Sequence, residues 1–236
     1  MPMTLGLAPE HLHNLVLMLP MVRLASGRLP AKALRPLGPY PLVRWSLDTM
    51  KQAADTEGVD FCVAVPERDR DLINLVQSLG LQPLLRDDES ADGETAETIY
   101  NAPLKANLGA WDYVIIAGCC SPFVDVEEYR KAIQLAKLAT HQGVAAFRRK
   151  GWVWNGDCDL VVGDAFLNTK TSPTYFMPAH VFDILRVEWL GTARMFDNCL
   201  PVPIEDSLRN RIHVDTEDDF RLAELYLGVK QFREGG

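Results

Sequence analysis

Apolar residues occur along the chain in short runs that alternate with stretches of helical period. Residues 14–22 (NLVLMLPMV) form a continuous apolar run of strand length. In residues 41–57, Leu42, Trp45, Leu47 and Met50 recur at helical spacing. Residues 60–65 (DFCVAV) read as a short buried strand. A helical face of Leu72, Ile73, Leu75, Val76 and Leu79 runs through residues 68–79, closed by Gly80 as a C-cap. Residues 82–85 suggest a further strand, and 94–108 a helix interrupted or bent at Pro103. WDYVIIAG (111–118) is the strongest strand signal in the chain. Beyond it Asp125, with Glu128 three residues on, predicts the start of a helix that runs to about His141.

Strands fed alternately into helices imply a mostly parallel sheet covered on both faces, a three-layer α/β sandwich of Rossmann-like type. From Gly143 the pattern changes. Residues 144–147 read as a strand, and 152–162 as a hairpin turning at Asn155-Gly156. Residues 178–190 are expected as a helix, 201–204 as a short strand and 216–227 as a final helix. The organisation expected is an N-terminal extension (1–13) followed by one domain (14–230), in which 143–200 forms an acceptor or dimerisation region.

Composition narrows the class. At 236 residues, 47% hydrophobic and 24% charged, the chain has the make-up of a soluble globular domain. Its net charge of -8 argues against a general nucleic-acid surface. Five cysteines without a CxxC pair suggest reduced thiols rather than a disulfide framework or zinc knuckle. The first apolar run is too short to cross a bilayer and has no basic flank of the signal-peptide kind. A cytoplasmic protein without membrane partners is the expectation.

Against that acidic background, RLASGRLPAKAL (23–34) gathers Arg23, Arg28 and Lys32 directly after the first strand. Ligands of open α/β sheets bind at the carboxyl ends of strands. Small residues Ala25, Ser26 and Gly27 would let backbone amides approach an anion, with the three cations supplying charge. A solvated basic loop has the same composition. The spacing is not that of a GxxxxGK[ST] loop.

RLASGRLPAK resembles the N-terminal signature R-x-A-S-x-R-L-P-x-K of the sugar-acid cytidylyltransferases, in their 3-deoxy-manno-octulosonate branch. Arg23, Ala25, Ser26, Arg28, Leu29, Pro30 and Lys32 match it, and Gly38, Pro41 and Leu42 match the step that follows. DGETAETIYNA (92–102) sits where the acylneuraminate branch has a nucleotide-contacting D-T-A-S segment. YVIIAGCCSPFVDVEEYRKAI resembles the family's central strand, turn and helix, and RIHVDTEDDFRLAELY its closing signature. The resemblance covers about residues 14–227.

It implies a three-layer nucleotidyltransferase fold, a homodimer, and transfer of CMP from CTP to an acidic sugar with Mg²⁺ and release of pyrophosphate. Arg23 and Lys32 become the catalytic candidates. The nucleotide would lie among Pro20, Arg23, Ala25, Ser26, Gly27, Arg28, Lys32, Glu94, Thr95 and Ala96. Asp215 would hold the metal with help from His213.

The chain departs from that pattern at the metal. The octulosonate branch has an aspartate in a G-D-x-P-L turn, where this chain reads GCCSPF and offers Cys120 or Ser121. The acylneuraminate branch has two aspartates in its closing D-[IV]-D, which reads His213-Val214-Asp215 here. Either template leaves one carboxylate missing, and thiol and imidazole suit a hard Mg²⁺ ion poorly. An alternative is therefore a catalytically degenerate nucleotide-binding protein with a regulatory or assembly role. Asp157-Cys158-Asp159 also spells the DxD of glycosyltransferases, although its place beside an Asn-Gly turn favours a strand start. Arg148, Arg149 and Lys170 are basic groups in the half that would meet an acceptor carboxylate, and a surface role for each is the reading favoured.

Overall fold

The computed structural model describes residues 14–151, 153–157, 159–162 and 172–234. The expected N-terminal extension, Cys158 and Lys170 lie outside the described residues. Seven strands make the body of the main sheet: β1 (Val16–Met21), β2 (Val63–Pro66), β3 (Pro83–Arg86), β4 (Tyr113–Gly118), β5 (Gln142–Lys150), β6 (Thr174–Arg186) and β7 (Cys199–Ile204). Their order is β7-β5-β6-β4-β1-β2-β3, with the short Asp60–Phe61 strand also paired to β1. All neighbours run parallel except β6, which is antiparallel to both β4 and β5.

Alternate residues of β1 serve opposite faces, as the pleat requires. Val16 and Met18 pack under helices α1 (Leu42–Glu57), α2 (Arg70–Ser78) and, later in the chain, α6 (Val126–Leu138), through Leu47, Met50, Ile73, Val76 and Ile133. Leu17 and Leu19 face the other layer, with Tyr100, Leu104 and Leu108. On this side lie three short helices, α3 (Asp88–Asp92), α4 (Ala96–Ile99) and α5 (Ala102–Leu108). The three-layer α/β architecture is thus the one read from the sequence.

Two elements differ from expectation. The helix expected over 94–108 is interrupted, and the break falls at Tyr100-Asn101 rather than at Pro103. Thr95 caps α4 through the Thr98 amide, and Asn101 caps α5 through the Leu104 amide. Pro103 therefore sits in the first turn of a new helix, where its missing N–H costs nothing. Residues 178–190 are not helical either. Most of them belong to β6, whose Val181, Phe182, Ile184 and Leu185 are all buried. A strand covered on both faces reads as a continuous apolar run, which periodicity cannot tell from a buried helix. Pro178 is tolerated because the ladder to β5 shifts register between Pro178 and Asp183, and His180 there takes a left-handed φ of 52°. The hairpin around Asn155 is present: Val153–Trp154 pairs with Leu160–Val162.

A third apolar cluster positions the site. Leu29 and Leu37 from the loop after β1 pack with Leu42, Ile212, Val214, Phe220, Ala223 and Leu227. The last three belong to the final helix, α8 (Glu217–Glu234), which follows a one-turn helix α7 (Leu208–Arg211). A tight turn brings the loop down on that helix. Gly38 holds φ at +60° there, and a Cβ on it would meet Leu227 Cδ2 at 2.5 Å. The loop of residues 22–35 and the segment 212–216 are thereby fixed side by side.

Candidate active site

β1 and β4 run parallel in register from Val16–Tyr113 to Met21–Gly118, so the loops that follow them leave the same edge of the sheet. That edge is the carboxyl end, where ligands of open α/β sheets sit. The loop after β1 is tied down at its start. The Leu24 amide donates to Asp69 Oδ2 at 2.7 Å, and the Arg86 guanidinium donates to the Val22 carbonyl at 3.3 Å. Arg86 is buried, and burial together with repulsion from Arg23 pushes its pKa down to about 10. Arg23 reaches the Ala91 carbonyl at 2.6 Å and lies 3.7 Å from Asp92, which joins the loop to the segment carrying Glu94, Thr95 and Ala96.

The middle of the loop is open. Ala25, Gly27 and Arg28 are exposed, and among the described residues no acceptor meets the amides of residues 25–28. Pro20 is a sheet residue paired with Ala117, below the loop rather than in it. Beyond Leu29, Ala31 takes a left-handed φ of 51° and turns Lys32 inward at the start of a short 3-10 turn, Lys32–Leu34. Such a conformation costs a non-glycine residue about 1 kcal/mol.

Lys32 Nζ donates to Asp215 Oδ1 at 2.6 Å and to the Val214 carbonyl at 3.0 Å. Arg28 donates to Asp215 Oδ2 at 2.7 Å. Burial works against the Lys32 ammonium, but Cys120 and Asp215 outweigh it and hold its pKa above the ordinary lysine value. Burial likewise works against ionised Asp215, yet Lys32, His213 and Arg28 together keep its carboxyl below the usual range. Asp215 is thus an ionised carboxylate shared by two cations.

The turn after β4 closes the other side. The Val214 amide donates to the Cys120 carbonyl at 2.7 Å, and Ser121 Oγ bonds His213 Nδ1 at 3.0 Å. His213 Nε2 lies 3.6 Å from Asp215 Oδ2. Burial, reinforced by Lys32 and His180, lowers the His213 pKa, so the imidazole is neutral at pH 7. The carboxylate of Asp219 accepts the amides of Asp215 and Thr216, and the Thr216 hydroxyl accepts the Asp219 amide, a reciprocal cap for α8.

The structure brings together Arg28, Lys32, His213 and Asp215, with Cys120 and Ser121 beside them. Arg23 and the 94–96 segment stand on the opposite flank of the loop. Asp69 and Arg86 are supporting residues that the sequence reading missed. Asp69 lies in the charged run PERDRDL, where nothing marks one carboxylate as the acceptor of a distant amide. Of the DxD pair, Asp159 is taken up by the hairpin turn: its amide donates to Asn155 Oδ1 and its carboxylate accepts from Asn155 Nδ2. Arg149 pairs with Asp206 at 3.1 Å.

Comparisons with known proteins bear on the fold and the family. The fold is similar to a CMP:2-keto-3-deoxy-manno-octonic acid synthetase solved with CTP, with a TM-score of 0.63 and 14% identity over 91% of this chain and 99% of that one. It is similar to a 4-diphosphocytidyl-2C-methyl-D-erythritol synthase from Anaerococcus prevotii, with a TM-score of 0.59 and 14% identity over 91% and 99% of the two chains. A putative glucose-1-phosphate thymidylyltransferase from Bacillus anthracis gives 0.61 and 12% identity over 89% and 94%. At such identities the likeness shows the fold. No curated protein sequence matches the chain significantly. The sequence profile of the Cytidylyltransferase family, however, matches residues 17–151, more than half of the chain and the whole of the loop after β1. The chain belongs to the cytidylyltransferase family, enzymes that use CTP for nucleotidyl transfer.

Proposed function

We propose that the enzyme transfers CMP from CTP to a hydroxyl of an acidic sugar or a related hydroxylated acceptor, with release of pyrophosphate. The observation that carries this reading is the convergence of Arg28 and Lys32 on Asp215 beside the open amides of residues 25–28. A triphosphate entering there exchanges with Asp215 as the partner of Arg28, whose side chain is 68% exposed. Lys32 remains anchored on the Val214 carbonyl. The acceptor oxygen bonds to the α-phosphorus while the bond to the bridging oxygen breaks, and the electron pair leaves with pyrophosphate. The hydroxyl proton passes to water at the open mouth. Arg23, Arg28 and Lys32 stabilise the charge that shifts onto the phosphates, and Ser26 with its neighbouring amides adds donors. Glu94, Thr95 and Ala96 lie along the segment gripped by Arg23 and are assigned to ribose or base. Arg148, exposed on β5, offers a cation to an acceptor carboxylate, whereas Arg149 is held by Asp206.

Cytidylyltransferases of this kind generally use a divalent metal. The residues here do not fit Mg²⁺ held by the protein. The site offers a single carboxylate, together with a thiol and an imidazole, whereas Mg²⁺ demands oxygen ligands in octahedral array.

A homodimer through the late half of the chain is part of the same reading. It is supported by exposed Leu135 and Leu138 at the end of α6 and exposed Leu200 on the edge strand β7, which line one shallow cleft. Calorimetric titration with CTP, ATP and UTP tests the nucleotide assignment. Selective CTP binding, weakened by Lys32→Ala, supports the transferase and leads to an acceptor screen by pyrophosphate release. Equal affinity for the three nucleotides would sink the cytidine assignment.

A further inference from the structure

We propose that Cys120, His213 and Asp215 form a binding site for a zinc-class divalent ion, with Ser121 positioning the imidazole. The inference deepens the transferase reading, since it concerns the metal of that same site. One ligand atom from each of the three residues lies within 4.8 Å of the other two. Bonds of the length zinc makes to nitrogen, oxygen and sulfur set tetrahedral ligand atoms about 3.3–3.7 Å apart. His213 Nε2 and Asp215 Oδ2 are already 3.6 Å apart, so closure on an ion asks for side-chain rotation rather than backbone movement. The two segments are pre-joined by the 2.7 Å bond from the Val214 amide to the Cys120 carbonyl.

The imidazole is aimed as a metal ligand's would be. Ser121 is buried and its Oγ engages Nδ1 at 3.0 Å, which leaves Nε2 as the nitrogen facing Asp215. A bond of this kind fixes tautomer and ring orientation in metal-ligating histidines. The Ser121 backbone is held in turn by Ser46 Oγ, which donates to its carbonyl at 3.2 Å. Asp215 presents its two oxygens differently. Oδ1 stays with half-buried Lys32, as ligating carboxylates keep an outer hydrogen bond, while Oδ2 is bonded by exposed Arg28 and faces His213 Nε2.

The donor chemistry decides the class of ion. Thiolate and imidazole select zinc-like ions over Mg²⁺, and three protein ligands leave a fourth position for an oxygen of water or phosphate. Binding needs no oxidant or reductant. The Cys120 thiol ionises, its sulfur bonds the ion and its proton passes to solvent.

The test is titration of metal-stripped protein with Co²⁺ as the spectroscopic probe, without nucleotide. One Co²⁺ per chain is expected, with a thiolate-to-cobalt charge-transfer band, tetrahedral d–d bands and release of a proton. Zn²⁺ is expected to displace it, and a large excess of Mg²⁺ to leave it in place. Cys120→Ser should abolish the charge-transfer band, while Ser121→Ala should keep the band and weaken Co²⁺ binding about 10–100-fold. Absence of the band in the unaltered protein, its survival in Cys120→Ser, or displacement by Mg²⁺ each overturns the proposal. A parallel CTP titration separates the two readings. CTP binding without a cobalt band removes the metal site and leaves the transferase. A cobalt band without CTP binding does the reverse.

Discussion

The loop after β1 makes two kinds of ion pair with the segment that opens α8, and they differ in what they can release. At the mouth, Arg28 and Lys32 share the single carboxylate of Asp215 beside open backbone amides. Three residues on, Arg35 meets Glu217 through two hydrogen bonds and lays its guanidinium 4.0 Å over the ring of buried Phe220. The second arrangement uses one face of the guanidinium on Phe220, a member of the third apolar cluster, and its N–H edge on Glu217. The first leaves each cation a partner that an incoming phosphate can replace. Neighbouring charges on one loop are thus divided between ligand and scaffold by what lies behind them.

The largest effect should come from breaking the mouth. Lys32→Ala removes the half-buried cation nearest Asp215, and kcat/KM should fall about 10²–10³-fold, the usual consequence of losing one preorganised donor to transition-state charge. The melting temperature should hardly change, because Arg28 still covers Asp215. Steady-state kinetics beside a thermal melt decides it, and a loss of activity that merely tracks a loss of folded protein would refute the division.

A carboxyl without such a partner sharpens the contrast. Burial raises the Asp183 pKa to about 6, with His180 opposing, the reverse of the shift at Asp215. A folded pKa above the unfolded value of about 3.9 means the contribution to stability is fully present below that value and is lost as pH rises through about 6. After discounting for partial exposure, about 1–2 kcal/mol should disappear between about pH 4 and about pH 7. Asp183→Asn should flatten that part of the profile in denaturant melts. An unchanged slope would remove the buried carboxyl from the account.

Breaking the buttress should have the opposite signature to Lys32→Ala. Arg35→Ala strips the cover from Phe220 and frees the start of α8, so the melting temperature should drop by a few degrees while kcat/KM stays close to that of the parent. A kinetic defect without a thermal one would place Arg35 in the ligand site instead.

How much of this was legible in the sequence follows from the same physics. The alternation up to α6 could be read because each strand and helix there carries its own period and its own stop, as at Gly80 with φ of 71°. The strand β6 could not, because burial on both faces erased its period. Within the site, the cations of residues 23–32 were visible as local composition. Their convergence on Asp215 spans more than 180 residues and depends on Leu29, Val214 and Phe220 sharing one apolar cluster. Ser121 as an imidazole partner, Asp69 as an amide acceptor and Arg86 as a buried clamp carried no signal at all, since each acts across a long sequence separation.

The smallest change probes the floor between mouth and buttress. Gly27 has no left-handed φ and nothing lies within 4 Å of a Cβ placed on it. In the free protein Gly27→Ala therefore meets no clash and reduces the freedom of the unfolded chain, so stability should stay within about 1 kcal/mol of the parent or rise slightly. If phosphate oxygens rest against the amides of residues 25–28, the added methyl stands where they must approach, and CTP should bind about tenfold more weakly, or worse. Function is then lost while stability is kept, as for Lys32 and opposite to Arg35. Unchanged CTP affinity would mean that the cations alone hold the triphosphate, and that the small residues of the loop serve only to let it turn.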